Sequence, residues 1–155
     1  MSLLKRVTES EACFLKAGIF GTQGAGKTWL ATSLAIGVHK LINSKKGVAF
    51  FDTETGSDPM LPRFQKAGIE MFRIKSRAFL DLAKVLDEAP EVADILIIDS
   101  ISHELNGTGG MLQINEQVAQ SKFRGNTWSA WSESDPRHRK FIDAILQTRM
   151  HVIVT

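Results

Sequence analysis

The stretch GTQGAGKT, residues 21–28, decides the fold of this chain of 155 residues. It fits the pattern G-x-x-x-x-G-K-[ST], with Gly21, Gly26, Lys27 and Thr28 at the fixed positions. Glycines let the backbone close around phosphate oxygens with its N–H groups pointing inward, and the N-terminus of a following helix adds positive potential. The stretch therefore predicts a phosphate-binding loop between a strand and a helix.

The segments on either side of this loop supply the strand and the helix that the pattern requires. Residues 12–20 (ACFLKAGIF) form a short apolar run that ends at Gly21, which indicates a buried strand. Residues 27–43 carry apolar side chains at helical spacing, namely Leu30, Leu34, Val38, Leu41 and Ile42. This context favours a phosphate-binding loop, the P-loop at residues 21–28, over the alternative, a plain glycine-rich turn.

The pattern also assigns roles to the side chains of the loop. Lys27 is expected to reach the β- and γ-phosphates of a nucleoside triphosphate, and the Thr28 hydroxyl is expected to bind Mg²⁺. Lys27 is therefore a predicted catalytic residue as well as a phosphate ligand. The residues expected to contact the nucleotide are Gly21, Thr22, Gln23, Gly24, Ala25, Gly26, Lys27, Thr28 and Trp29.

Strands and helices alternate along the rest of the chain. Apolar runs predict strands at residues 48–51, 71–74, 95–98 and 151–155. Helices are predicted from Asp58-Pro59 to Gly68, from Phe79 to just before Pro90, over residues 113–123, and from Asp135-Pro136 onward. Residues 106–110 read as a loop. This order predicts one α/β domain over residues 1–155, a three-layer P-loop fold with a mainly parallel sheet.

The composition is that of a globular protein, with 43% hydrophobic residues, 23% charged residues and a net charge of +2. Such a small positive charge does not by itself indicate nucleic-acid binding. No apolar run approaches the roughly 20 residues that span a bilayer, and the apolar segment within residues 1–6 is too short for a signal peptide. No membrane partner is therefore expected. The single cysteine, Cys13, is expected to be a small buried hydrophobe in the first strand and suits the reducing cytoplasm.

Acidic residues follow two of the predicted strands. Asp99 comes directly after the aliphatic run at residues 95–98, the Walker B arrangement, and is a predicted Mg²⁺ ligand acting mostly through water. Glu54, in FDTETG after the second strand, is the predicted catalytic group that orients and deprotonates water. The alternatives are Glu104 as that group and Glu54 as a solvated turn residue, while Asp52 is expected to support the site indirectly.

Taken together, these motifs resemble the RecA-like P-loop ATPases, and most closely the phage-type nucleotide-binding proteins of the AAA family. The resemblance is carried from residue 14 onward by the P-loop, by FDTETG and by DPRHRKFIDAILQTRMHVIVT at residues 135–155. It implies ATP and Mg²⁺ as ligands, Glu54 as catalytic glutamate and Asp99 as Walker B aspartate. It also implies that HVIVT lies inside the sheet, between the P-loop strand and the strand before Asp99.

Members of this class continue past the strand that corresponds to HVIVT. The resemblance therefore implies that the domain is incomplete at Thr155. Residues 12–20 would then form an unpaired apolar edge, so self-association and weak hydrolysis are expected.

Two other functions share this fold. A small-molecule or nucleotide kinase would need arginines that close over the phosphates, for which Arg63, Arg73 and Arg77 are candidates. A nucleotide-switched assembly module would use ATP to change its affinity for a partner.

Single-stranded DNA is a further candidate partner. Two basic groups could contact its phosphates, and Trp128 and Trp131 could stack on its bases. The basic residues are Arg63, Lys66, Arg73, Lys75 and Arg77 in one group and Arg137, Arg139 and Lys140 in the other. The simpler interpretation is a solvated basic surface with tryptophans packed on their own domain.

Overall fold

The computed structural model describes residues 12–155, so the signal-peptide prediction for residues 1–6 lies outside the described residues. In this part of the chain five strands form one sheet in the order β1-β5-β4-β2-β3, and every neighbouring pair is parallel. The strands are β1 (Lys16–Gly18), β2 (Gly47–Asp52), β3 (Met71–Lys75), β4 (Ala93–Asp99) and β5 (His151–Val154). The predicted parallel α/β sheet is confirmed.

The position of β5 decides which loops meet. β5 pairs with β1 on one side, where Ala17 faces Ile153, and with β4 on the other, where Ile97 faces Ile153. This interior place for HVIVT, implied by the family resemblance, is confirmed. On the far side of β4, Asp52 of β2 pairs in register with Asp99. Because parallel strands end at one edge, the loop after β1 and both aspartates share that edge.

The helices cover both faces of the sheet. They are α1 (Lys27–Leu41), α2 (Leu61–Ala67), α3 (Phe79–Val92), α4 (Ser102–Asn106), α5 (Met111–Lys122) and α6 (Thr127–Gln147). Side chains alternate across the sheet, so Phe50 and Ile97 pack in one core with α1 and α2, while Phe51 and Ile98 pack in a second core with α3 and α6. Burial of each such side chain contributes about 1.5–3 kcal/mol. The predicted three layers are confirmed.

The first strand is shorter than predicted, because only Lys16–Gly18 pair with the short strand β5. Cys13 precedes this pairing and is exposed, so the prediction that it is buried in the strand was wrong. Helix α1 ends at Leu41, two residues before the predicted end.

Lys16 ties β1 to the connection between α6 and β5. Its ammonium donates hydrogen bonds of 2.8 Å to the Thr148 carbonyl and 2.7 Å to the Met150 carbonyl. Burial lowers the pKa of Lys16. β1 is therefore held to the sheet by the Lys16 side chain as well as by its backbone pairing with β5.

The helix predicted from Asp58 begins differently. A 3-10 turn, Asp58–Met60, precedes α2, and Asp58 does not cap it, because its carboxylate accepts hydrogen bonds from Arg73 and Lys75 on β3. These two hydrogen bonds, that from Lys75 first, lower the pKa of Asp58. The predicted end at Gly68 is confirmed, since Gly68 adopts the left-handed conformation (φ 70°) that ends many helices.

Two predicted helix boundaries at prolines were wrong. α3 continues through Pro90 to Val92, where the missing proline N–H costs only one bond in the last turn. α6 begins at Thr127, not at Asp135, because the Asn126 side chain accepts a hydrogen bond from the Ser129 N–H and caps the helix. Asp135 instead pairs with Arg139 one turn later.

The predicted helix over residues 113–123 is present as α5. Among the helices in residues 12–155, none combines the length and apolar character needed to cross a bilayer.

Candidate functional site

The P-loop is exposed and takes its shape from two left-handed glycines. Gly24 has φ 80° and Gly26 has φ 83°, conformations that cost other residues energy. Gly26 is the N-cap of α1, and the Leu30 N–H donates to its carbonyl as a first helical bond. The amides before Leu30 have no helical partner and can bind phosphate oxygens.

Lys27 folds back over the same loop. Its ammonium donates a hydrogen bond of 3.1 Å to the Thr22 carbonyl, in an exposed position. The side chain is thereby held across the backbone between Thr22 and the start of α1. A phosphate oxygen would replace the neutral carbonyl with a stronger, charge-assisted acceptor.

Thr28 and Asp99 meet at the carboxyl edge of the sheet. The Thr28 hydroxyl donates a hydrogen bond of 2.6 Å to Asp99 Oδ2, and Thr155 at the end of β5 donates to Asp99 Oδ1. Asp99 is only 1% exposed. The oxygens of the Thr28–Asp99 pair are hard donors of the kind that Mg²⁺ prefers, and they lie beside the loop at residues 21–28.

Gly56, for which the sequence motifs predict no role, brings the loop after β2 close to this pair. A Cβ atom at Gly56 would lie 3.2 Å from Asp99 Oδ2 and 3.4 Å from the Thr28 hydroxyl. A side chain there would press on the Asp99 carboxylate and meet the Thr28 hydroxyl, so glycine permits the close approach. The available signal was its place at the end of FDTETG, two residues after Glu54.

Asp52 builds the loop that carries Glu54 and Gly56. Its carboxylate is 1% exposed and accepts hydrogen bonds from the N–H groups of Glu54 (3.2 Å), Gly56 (3.1 Å) and Ser57 (3.1 Å), and from the Ser57 hydroxyl. Arg73 Nη1 donates to the same hydroxyl at 3.1 Å. A buried carboxylate with this many donors fixes the backbone around it.

The two candidate catalytic glutamates have different surroundings. Glu54 is exposed and lies in the loop that touches the Thr28–Asp99 pair through Gly56. Glu104 in α4 is 5% exposed, and its Oε1 lies 2.8 Å from Nδ1 of His138 on α6. Glu104 is therefore engaged with His138, a side-chain contact that joins α4 to α6.

The arginines of the first basic group all have partners within the chain. Arg63 lies over the Trp29 ring, Arg73 pairs with Asp58, and Arg77 Nε donates to the Thr53 carbonyl at 2.8 Å. Trp128 is on α6 and is 86% exposed, so the expectation that it packs in a loop against its own domain was wrong. Trp131, one turn later, is half-buried.

We predict that Asp52→Asn loosens the loop around Glu54. The new amide group would face the donors of Ser57, so the free energy of unfolding should fall by about 1–3 kcal/mol. Denaturant unfolding measures this loss, and amide hydrogen exchange at Glu54, Gly56 and Ser57 should become faster. Asp87→Asn, at an exposed site on α3, is the control and should change neither the free energy of unfolding nor these exchange rates. Unchanged exchange in Asp52→Asn would show that the carboxylate does not hold the loop.

Comparison with known proteins agrees with this geometry. A family model described as AAA domain matches residues 14–155, which include the P-loop, Asp99 and β5. A search of curated proteins finds no match to the chain. The match covers most of the chain, and the five-stranded parallel sheet carries the P-loop at its carboxyl edge. The chain therefore belongs to the AAA domain family of nucleotide-binding P-loop ATPases.

Proposed function

We propose that this chain is an ATPase of the RecA-like class, with ATP on residues 21–29 and Mg²⁺ at the Thr28–Asp99 pair. The observation that carries the proposal is the meeting of three segments at one point, the start of α1, the end of β4 and the loop after β2. Phosphate, metal and water-activating groups are needed together for hydrolysis of a phosphoanhydride.

The place of β5 supports the RecA-like assignment. β5 separates the P-loop strand from the Asp99 strand, the arrangement that the resemblance implies. With this spacing, α1 crosses over β4 and β5 and brings Thr28 to Asp99.

Each site residue has one role in this proposal. Lys27 leaves the Thr22 carbonyl for the β- and γ-phosphates, and the first-turn amides hold further phosphate oxygens. Thr28 and Asp99 would hold Mg²⁺, Asp99 mostly through water, and the ion supplies charge neutralisation for the phosphates. Glu54 orients the attacking water and takes its proton.

Glu54 is favoured over Glu104 by exposure and partners. A general base must reach a water beside the γ-phosphate, and Glu54 is exposed in the loop that approaches Thr28. Glu104 is buried against His138. We therefore assign water activation to Glu54 and packing to Glu104.

A kinase is less well supported than an ATPase. The lid arginines that a kinase needs would have to be free, yet Arg63, Arg73 and Arg77 are held by Trp29, Asp58 and Thr53. A nucleotide-switched assembly module would use the same site with slow turnover, and the measured rate separates it from an ATPase.

We place this activity in phage-type DNA recombination or replication, in the cytoplasm, with single-stranded DNA as the effector. Support comes from the resemblance and from Trp128, whose exposed indole offers a stacking surface on α6. The same helix carries Arg137 and Lys140, cations that can contact phosphates.

We predict that Glu54→Gln lowers kcat for ATP hydrolysis by about 10²–10⁴ while ATP still binds. The amide can hold the water but cannot take its proton. Phosphate release, measured with and without single-stranded DNA, gives kcat, and calorimetry gives ATP affinity.

Glu88→Gln on α3, an exposed glutamate away from the P-loop, is the matched control and should hydrolyse ATP normally. Normal turnover in Glu54→Gln, with a loss in Glu104→Gln, would transfer the role to Glu104. An absence of hydrolysis in the wild-type protein, with DNA present, would favour the assembly module.

We also propose that the protein self-associates along β1. In the described residues β1 pairs with β5 alone, and Phe20, which follows it, is 91% exposed. Light scattering should show an oligomer that Phe20→Lys shifts toward monomer and that Leu41→Lys, at an 81% exposed site on α1, leaves unchanged. A wild-type monomer at the highest soluble concentration would contradict this proposal.

A further inference from the structure

Trp29 is an exposed aromatic residue in the first turn of α1. It follows Thr28 directly, and 56% of its surface is exposed. Its backbone N–H is one of the helix-start amides that lack a helical partner, so a phosphate held by the P-loop lies beside its backbone. An indole in this place is a large apolar surface at the mouth of a polar site.

Arg63 of α2 contacts the first turns of α1 in three places, and one of these is the Trp29 ring. Its guanidinium carbon lies 3.6 Å from the centroid of the Trp29 ring. Nη1 donates to the Trp29 carbonyl at 3.0 Å, and Nη2 donates to the Ser33 hydroxyl at 2.9 Å. A cation stacked on indole is attractive, and the two hydrogen bonds fix the plane of the guanidinium. The ring is therefore preorganised before any ligand binds.

Trp29 is the exposed aromatic residue that directly follows the loop at residues 21–28. A nucleoside triphosphate seated on residues 21–28 leads from its α-phosphate through one sugar to the base. The indole on the next residue offers such a base an exposed aromatic surface beside the loop. Planar bases stack on aromatic rings without regard to base identity.

We propose that Trp29 is the stacking surface for the nucleobase of the bound nucleotide and that Arg63 is its positioning residue. This inference rests on the proposed function, because it requires phosphates in the P-loop. It adds a base contact to a site otherwise built for phosphate and metal. If Trp29 and Arg63 only joined α1 to α2, their loss would lower stability. It would not change the difference in affinity between a nucleotide and a bare triphosphate.

The test compares ATP with inorganic tripolyphosphate, which has phosphates and no base. Calorimetry on the wild-type chain should give tighter binding of ATP. Trp29→Ala should weaken ATP binding by about 5- to 150-fold, the range for one base–aromatic stack, and leave tripolyphosphate affinity unchanged. Trp29→Phe keeps a ring and should retain most of the ATP affinity, whereas Arg63→Ala should give an intermediate loss.

Leu146→Ala is the matched control, since it removes an exposed apolar side chain (57% exposed) from α6, and it should leave both affinities unchanged. Lys27→Ala should weaken the binding of both ATP and tripolyphosphate, and it therefore tests phosphate binding by the P-loop separately from base stacking. Equal affinities for ATP and tripolyphosphate in the wild type, or full ATP affinity in a folded Trp29→Ala, would overturn the stacking proposal with the P-loop intact. Failure of the wild type to bind either ligand would overturn the proposed function and this inference with it.

Discussion

The hydrogen bond from Thr28 to Asp99 is the contact on which the arrangement of the site depends. It joins the start of α1 to the end of β4, two segments separated by 71 positions in the chain. The contact forms because β5 places β1 and β4 at the right separation and because α1 then crosses back over the sheet. A buried carboxylate needs partners, and Asp99 finds them in Thr28 and Thr155. The hydrogen bond from Thr28 therefore holds the loop after β1 against the end of β4.

Two buried aspartates, Asp52 on β2 and Asp99 on β4, lie in register at the carboxyl edge of the sheet and have different hydrogen-bond partners. Asp52 accepts three backbone N–H groups and the Ser57 hydroxyl, a complete set that organises the loop of Glu54. Asp99 accepts two threonine hydroxyls, and of these Thr28 stands at the mouth of the P-loop. A hydroxyl can turn to bind a cation with its oxygen, whereas backbone amides cannot. Asp52 is thus suited to a structural role and Asp99 to a metal.

The sequence predicted the parts of this site that are local in the chain. The P-loop, α1 and the strand before Asp99 follow from glycine spacing and from four consecutive aliphatic residues. The close approach of Gly56 to Thr28 and Asp99 could not be predicted in the same way, because the packing of separate segments creates it. The start of α6 was missed for another reason. Its first turns are polar and rich in serine, and Asp135-Pro136 imitates a helix start inside the helix.

The dependence of ATP affinity on Mg²⁺ tests the central claim most directly. Calorimetry should show that Mg²⁺ raises the ATP affinity of the wild-type protein. Asp99→Asn should reduce this gain, because its metal affinity should fall by about 10- to 100-fold, as for a ligand acting through water. Binding without Mg²⁺ should be kept, since the P-loop remains. The double variant Thr28→Val, Asp99→Asn should lose little more of the Mg²⁺-dependent ATP affinity than either single variant. The same Mg²⁺ gain in Asp99→Asn as in the wild type would contradict a metal site at the Thr28–Asp99 pair.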